Sequence, residues 1–245
     1  MKAITQSIIK SAVAYYNEGE CGGKIEASLR GEQSPPSAAM LLGIYFEYLV
    51  TGSTGLKETA PEPVRLKNGE LSAPYRVVTA QAERVKELME KMKIEILEVN
   101  KWQTKDDLGG HFDLIANVDG VKSVIDIKYS STVDDKWSPY GWQWTDKQKD
   151  FHSIQAAHYA LISGLPFYYL VTEASEDGRI DFFRVDLTPE AMKRHEERIE
   201  QARTMVSALE FGLVHRPEFN RCEGCPIKDS CTQRITNPEP KLVTL

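Results

Sequence analysis

The feature that most constrains the fold is the segment 109–130, GGHFDLIANVDGVKSVIDIKYS, which has the residue pattern of a β-hairpin. Apolar and polar residues alternate on both sides of Asp119-Gly120, a dipeptide that favours a two-residue turn. That turn would pair Val118 with Val121 and fix the register of every later pair. Because successive side chains of a strand point to opposite faces, one face of the hairpin is then apolar and can enter a core. It consists of Phe112, Leu114, Ile125 and Ile127.

The opposite face of the same hairpin gathers polar and charged residues. In this register Asp113 stands directly opposite Asp126, and His111 opposite Lys128. Two facing carboxylates repel each other, and a bound divalent cation would remove that cost. Mg²⁺ and Mn²⁺ prefer such oxygen ligands. Lys128 shares the face of Asp126, where an ammonium can orient a water or stabilise charge on a phosphate. The alternative is a solvated face, against which the Asp-Ile-Lys triplet counts.

Two helical segments carry polar residues that could complete this site. In MLLGIYFEYLVTG, Glu47 is the lone acid, with Gly43 one turn earlier, and burying its carboxylate without a partner would be costly. A metal ion would be such a partner, and the alternative is an ordinary exposed position. Gln155 and Tyr159 are four residues apart in FHSIQAAHYAL and share a helix face, from which both could reach a phosphate or a water.

Four cysteines form a second candidate site. Cys222, Cys225 and Cys231 follow a C-x2-C-x5-C pattern, which is one thiolate short of a four-sulfur set. A four-cysteine site therefore requires Cys21, from the other end of the chain. Zinc and iron–sulfur clusters both accept four thiolates, so the spacing does not separate them, and free thiols are a third alternative.

Residues 134–149, DDKWSPYGWQWTDKQK, form a polar segment that holds four aromatic rings, with lysines on either side of them. Trp137, Trp142 and Trp144 are suited to stacking on unpaired bases, which makes this segment the candidate substrate-binding element. The alternative is that individual rings pack beneath the loop.

The chain of 245 residues predicts one α/β (α+β) domain, with a central mixed sheet flanked by helices. Periodicity predicts helices over about 4–17, 37–51, 76–93, 148–163 and 188–212. It predicts strands over about 94–102, 109–118, 121–129, 166–173 and 179–186, with loops over about 52–74 and 130–147.

The formal net charge of −6 leaves no overall basic surface for nucleic acid. This argues against tight, sequence-specific binding of duplex DNA, but not against an enzyme whose acidic site is neutralised by metal ions. The start, MKAITQSIIKSAVAYY, is unlike a signal peptide, and the apolar run AAMLLGIYFEYLV is too short to span a bilayer. We therefore expect a cytoplasmic protein without a membrane partner, whose cysteines are reduced or metal-bound.

Four motifs, taken in chain order, resemble those of the RecB-like branch of the PD-(D/E)XK nuclease superfamily: Gly43…Glu47, Asp113 in GHFDL, Asp126-Ile127-Lys128, and Gln155…Tyr159. The resemblance implies a restriction-endonuclease-like core that binds Mg²⁺ or Mn²⁺ through Glu47, Asp113, Asp126 and the main-chain carbonyl of Ile127. It also implies that Lys128 is catalytic and that Gln155 and Tyr159 lie beside the substrate phosphate. Glu47 stands where close iron–sulfur relatives often have histidine.

The cysteines have a counterpart in the same branch. Cys21 after an initial helix, with the C-terminal C-x2-C-x5-C, resembles the iron–sulfur nucleases, such as the CRISPR-associated exonuclease and AddB-type nuclease domains. Their four cysteines hold a [4Fe–4S] cluster. The resemblance implies a cluster-binding region of residues about 1–30 and 215–235 within a single nuclease domain spanning 1–245. Gly22-Gly23 departs from relatives, which commonly have proline there.

The function that the resemblance implies is metal-dependent hydrolysis of DNA by an exonuclease acting on single strands or on DNA ends. Its partners would be DNA and the proteins of a recombination, repair or CRISPR system, while the sequence predicts neither polarity nor oligomeric state. Two other classes stay open. A non-catalytic DNA-binding subunit would bind DNA without cutting it, and an iron–sulfur redox sensor would not need Asp113 or Asp126.

Overall fold

The computed structural model describes residues 3–32, 35–53, 61–133, 151–218, 222–223 and 225–234. The predicted α/β class, a mixed central sheet with flanking helices, is confirmed. In chain order the described elements are α1 (Gln6–Asn17), α2 (Gly22–Leu29), α3 (Ala38–Thr51), α4 (Ala73–Lys91), β1 (Glu95–Lys105), β2 (Leu108–Val118), β3 (Val121–Ser130), α5 (Phe151–Ser163), β4 (Phe167–Glu173), β5 (Ile180–Val185) and α6 (Pro189–Ala208).

Helix α2 is the element that periodicity did not predict. It has eight residues and begins with Gly22 and Gly23, which are poor helix formers. Its N-terminus is held from outside the helix, because the Gly22 amide donates to the Val214 carbonyl at 3.0 Å. A Cβ on Gly22 would stand 2.5 Å from Leu213 Cβ. The hydrogen bond from the Gly22 amide explains the departure from proline at this position, since proline has no amide hydrogen to donate.

The chain divides into two compact units. The first comprises Met1–Gln6 and Pro36–His195, and it contains the whole sheet. The second comprises Ser7–Pro35 and Glu196–Leu245, and it contains α2 and the four cysteines. The extent of a single nuclease domain over residues 1–245 stays a prediction. Within the described ranges, the helices lack the combined length and apolarity needed to cross a bilayer.

The sheet of the first unit has the strand order β1-β2-β3-β4-β5. Strand β3 runs parallel to β4, and the other neighbours are antiparallel. A parallel pair needs a crossover connection, and α5 lies on the one between β3 and β4. The predicted hairpin turn is confirmed, because Asp119 and Gly120 have φ of 50° and 79° and Val118 pairs with Val121.

Helices α3 and α4 cover one face of this sheet and α5 contacts the other. On the α5 side, the ring of Tyr159 meets that of Phe167 with centroids 6.0 Å apart. Burial on both faces holds the hairpin rigidly in the centre of the unit. The core under α3 and α4 consists of Tyr45, Phe46, Val50, Tyr75, Val78, Ala82, Val85, Met89, Leu114, Ala116, Val118, Ile125, Ile127 and Leu170.

Candidate active site and cysteine cavity

Helix α3 brings Glu47 to the edge of the hairpin. The helix begins after Ser37, whose hydroxyl accepts from the Met40 amide at 3.2 Å, and it ends at Gly52 in the left-handed conformation. Glu47 is partly buried among apolar neighbours. Burial raises the pKa of its carboxyl to about 7, and the charge of Asp126 adds to the effect while that of Lys128 opposes it. Glu47 is therefore electrostatically coupled to the hairpin, and its predicted role as a metal ligand stays a prediction.

Asp113 differs from the prediction that it pairs directly with Asp126. The ladder between β2 and β3 ends at the pair Leu114 and Ile125, one step before the two acids. Instead, Asp113 Oδ2 accepts from the Ile127 amide at 2.8 Å, so a side chain replaces a main-chain acceptor where the strands separate. Burial first, and then the charge of Asp126, raise the pKa of Asp113 well above its usual range.

Asp126 is held from two sides and is only 1% exposed. Its Oδ1 accepts from Gln155 Nε2 at 2.5 Å, and its Oδ2 contacts Lys128 Nζ. The Lys128 side chain is 29% exposed. Burial lowers the pKa of Lys128, but the charges of Asp126 and Asp113 outweigh this and raise it above its ordinary value. Lys128 is therefore a cation at neutral pH, fixed against the acid two residues before it.

Gln155 and Tyr159 both lie at this site, on α5. In the described structure Gln155 contacts Asp126 rather than solvent. Tyr159 is 4% exposed, and its ring packs against Phe112 with centroids 4.9 Å apart. Burial, followed by the charges of Asp126 and Asp113, raises the pKa of Tyr159 far above its usual range, so its hydroxyl stays protonated. The predicted role of both residues beside a phosphate stays a prediction.

Strict alternation along β2 fails near Asp113, and two predictions change with it. Phe112 is fully buried as expected, but its ring meets Tyr159 of α5 instead of joining Leu114 in the core under α3 and α4. His111 is exposed, pairs with Trp102 of β1 and lies with its ring centroid 5.6 Å from that of Trp102. The β2–β3 ladder, which would set the alternation, no longer extends to these residues.

The donor set suits a divalent cation. Three carboxylates, two of them with raised pKa values, surround one ammonium, and such oxygen ligands are those that Mg²⁺ and Mn²⁺ prefer. Among the described residues, no three histidine, cysteine, aspartate or glutamate side chains are close enough to share one ion. Sharing an ion would therefore require at least one of the carboxylates Glu47, Asp113 and Asp126 to rotate.

The four cysteines line one cavity in the second unit. Cys21, Cys222, Cys225 and Cys231 all contribute to its wall and all are free thiols. Hydrogen bonds join the two distant stretches of sequence here: the Val214 amide donates to Tyr15 Oη at 3.0 Å, and the Leu213 amide to Glu26 Oε1 at 2.5 Å. The four cysteines therefore line one cavity, but among the described residues no three of their sulfur atoms are close enough to share an ion. The cysteine-bound link between the two ends of the chain, and the group bound there, stay predictions.

Arg216 is a residue of this cavity that sequence reasoning missed. Its amide donates to Cys21 Sγ at 3.3 Å, and its guanidinium donates to the Tyr15 carbonyl at 2.8 Å. The guanidinium also lies over the Tyr15 ring, 4.5 Å from the centroid. No spacing rule connects Arg216 to Cys21, because the contact spans 195 residues of sequence.

The three tryptophans Trp137, Trp142 and Trp144 lie outside the described residues.

Comparison with known proteins supports the fold but finds no match in sequence. Neither a protein-family profile nor a curated protein matches the chain. A crystal structure of a candidate exonuclease from Eubacterium rectale is similar, with a TM-score of 0.68 and 19% identity over 98% of this chain and 91% of that one. LHK-Exo, solved with dAMP, matches with a TM-score of 0.49 and 12% identity over 86% and 91% of the two chains, too low to support an argument. The chain thus has the mixed α/β fold of the Eubacterium rectale protein.

Proposed function

We propose that this protein is a metal-dependent deoxyribonuclease of the RecB-like branch, an exonuclease that acts on single-stranded DNA or on DNA ends. The observation that carries the proposal is the convergence of Glu47 of α3 with Asp113, Asp126 and Lys128 of the hairpin, whose charges all interact. The fold shared with a candidate exonuclease supports it. A solvated face, the alternative at the sequence level, would not bury Asp126 to 1% exposure.

The residues of the chain have distinct parts in this reaction. Glu47, Asp113 and Asp126, with the carbonyl of Ile127, would hold one or two Mg²⁺ or Mn²⁺ ions, which supply Lewis acidity and activate water when bound. Lys128 presents a fixed positive charge next to Asp126, where it can orient the attacking water or stabilise the charge that develops on phosphate.

Gln155 and Tyr159 act on the same reaction from α5. Gln155 holds the carboxylate of Asp126 in one orientation through its hydrogen bond. Tyr159 keeps its proton and can donate a hydrogen bond, since its pKa is raised. Contact of Gln155 with the substrate phosphate requires that its hydrogen bond to Asp126 change.

The test compares cleavage of single-stranded DNA, labelled separately at each end, with Mn²⁺, Mg²⁺ or chelator. Asp126→Asn removes the charge of the buried acid at nearly constant shape, and Asp119→Asn makes the same exchange at the exposed tip of the same hairpin. We expect cleavage that needs the metal, that Asp119→Asn keeps and that Asp126→Asn loses. The product ladders give the polarity.

Two results would contradict the nuclease proposal. DNA bound but uncut with every metal would favour a non-catalytic DNA-binding subunit, and cleavage retained by Asp126→Asn would mean that the nuclease site lies elsewhere. Activity that follows the oxidation state of a cluster and is indifferent to Asp126 would favour the redox sensor.

We further propose that Cys21, Cys222, Cys225 and Cys231 hold a [4Fe–4S] cluster, supported by their common cavity. The competing cofactor is a structural Zn²⁺ ion. Protein purified without oxygen should show iron, sulfide and a charge-transfer absorbance lost in Cys21→Ser, while Ser230→Ala, next to Cys231, should keep them. Zinc in place of iron, or neither metal, would overturn this assignment.

A further inference from the structure

Nothing in the described part of the chain requires a glycine at position 43, in the middle of α3. Glycine inside a helix costs about 1 kcal/mol relative to alanine. Two features of the chain commonly justify that cost: a positive φ or a close approach of another segment. Gly43 is not among the glycines with positive φ, and among the described residues nothing beyond its own helical turns comes within 4 Å of the position of a Cβ. Gly22, in contrast, would meet Leu213 at 2.5 Å.

Gly43 shares a face of α3 with Glu47, the helix residue of the candidate active site. Gly43 precedes Glu47 by four residues, so both lie on the same face of α3, about 6 Å apart. Phe46, the residue before Glu47, stacks on Tyr129 of β3 with ring centroids 4.9 Å apart. Helix α3 therefore lies beside the strand that carries Asp126 and Lys128. A molecule that reaches the cluster along α3 must therefore pass over Gly43.

Met40, one turn before Gly43, indicates which chemical groups this surface of α3 can contact. Met40 is three residues earlier, on the same side, and is 57% exposed. A thioether and a bare helical backbone carry no charge, so the surface suits the apolar face of a base or sugar rather than a phosphate. The phosphate would lie further along, at the cluster that contains Lys128.

We infer that Gly43 leaves room for the nucleotide adjacent to the scissile phosphate, and that Met40 contacts its base or sugar. This inference rests on the proposed nuclease function and adds a binding surface to it: α3 guides one DNA strand to Glu47. Because Gly43 has no Cβ, the DNA strand has room to lie against α3 at this position. A side chain at position 43 narrows it.

The experiment separates DNA binding from cleavage. Affinity for a fluorescent single-stranded oligonucleotide is measured by anisotropy with Ca²⁺ in place of Mg²⁺, and thermal stability is measured on the same samples. The variants are Gly43→Ala and Gly43→Leu, and the matched control is Leu41→Ala, on the same helix but pointing in another direction and 39% exposed. Cleavage with Mn²⁺ is assayed in parallel.

We expect Gly43→Leu to weaken DNA binding by about 10-fold or more, equivalent to about 1.4 kcal/mol, and Gly43→Ala by less. Gly43→Ala should melt at a higher temperature than wild type, because alanine favours the helix. Leu41→Ala should bind DNA as wild type does.

Three results with the variants would overturn the inference. The first is wild-type DNA affinity in Gly43→Leu, and the second is a loss of affinity in Leu41→Ala equal to that in Gly43→Leu. The third is a lower melting temperature in Gly43→Ala, because it would show that the chain itself fills the space above Gly43. A wild-type protein that does not bind the oligonucleotide would overturn it as well. DNA bound through Gly43 but never cut would refute the nuclease proposal alone. DNA cut equally well by all variants would refute the inference alone.

Discussion

The charge of Glu47 should make the metal-free protein less stable as the pH rises. Its carboxyl has a folded-state pKa of about 7 against an ordinary 4.5, mainly because burial disfavours the charged form. Each pKa unit corresponds to about 1.4 kcal/mol, so the full penalty of the rise from 4.5 to about 7 is about 3.5 kcal/mol. Because Glu47 is only partly buried, solvent reduces this to about 2–3 kcal/mol. The substitution that tests it is Glu47→Gln, which removes the charge and keeps the shape.

The sign follows from proton binding. Between pH 4.5 and 7 the folded protein holds the Glu47 proton more tightly than the unfolded chain does, so the stability from Glu47 is complete below pH 4.5 and is lost as the pH rises to 7. The free energies of unfolding of wild type and Glu47→Gln should therefore differ by less than about 1 kcal/mol at pH 5. At pH 8 the variant should be the more stable by about 2–3 kcal/mol.

Urea unfolding at pH 5, 6, 7 and 8, with chelator present, measures this difference. Glu87→Gln, at an exposed position of α4, is the matched control and should show no comparable trend with pH. Added Mn²⁺ should stabilise wild type at pH 8 and Glu47→Gln less, since the metal would use the carboxylate. A difference between wild type and Glu47→Gln that stays constant from pH 5 to 8 would refute the reasoning.

Three further substitutions test the packing and the chemistry. Lys128→Met should reduce cleavage by at least about 100-fold in the labelled-DNA assay, because it removes a fixed positive charge from the acidic cluster; near-normal rates would exclude a catalytic lysine. Gly22→Ala should cost about 1–3 kcal/mol in urea unfolding, since the new Cβ would meet Leu213 Cβ at 2.5 Å; unchanged stability would contradict the close packing. Gln81→Ala should cost about 1–3 kcal/mol, because buried Gln81 donates to the carbonyl of Ser175; a neutral effect would mean that water replaces this bond.

Local rules predicted the elements and the hairpin because both depend on short-range chemistry. The Asp119-Gly120 turn adopts the positive φ angles that its two residues favour, and the pairs from Val118 and Val121 to Leu114 and Ile125 follow from it. The helix α2 escaped prediction because its start depends on a bond from Gly22 to residue 214, far away in sequence.

In the candidate site, too, some features depend on the local sequence and others on contacts between distant segments. The sequence determined which residue types could form it: two acids and a lysine on one strand pair, a lone acid in an apolar helix, and a Gln and a Tyr four residues apart. It also predicted that a four-cysteine site needs Cys21; the four cysteines line one cavity, and their joint binding of a cofactor stays a prediction.

Only the tertiary structure decided how those residues contact each other. Alternation placed Asp113 against Asp126, but the strands separate there and Asp113 binds the Ile127 amide instead. Packing of α5 set the bond from Gln155 to Asp126, and burial raised the pKa of Asp113. The physical reason is that hydrogen-bond partners and desolvation depend on segments distant in sequence, whereas turns and periodicity depend on neighbours.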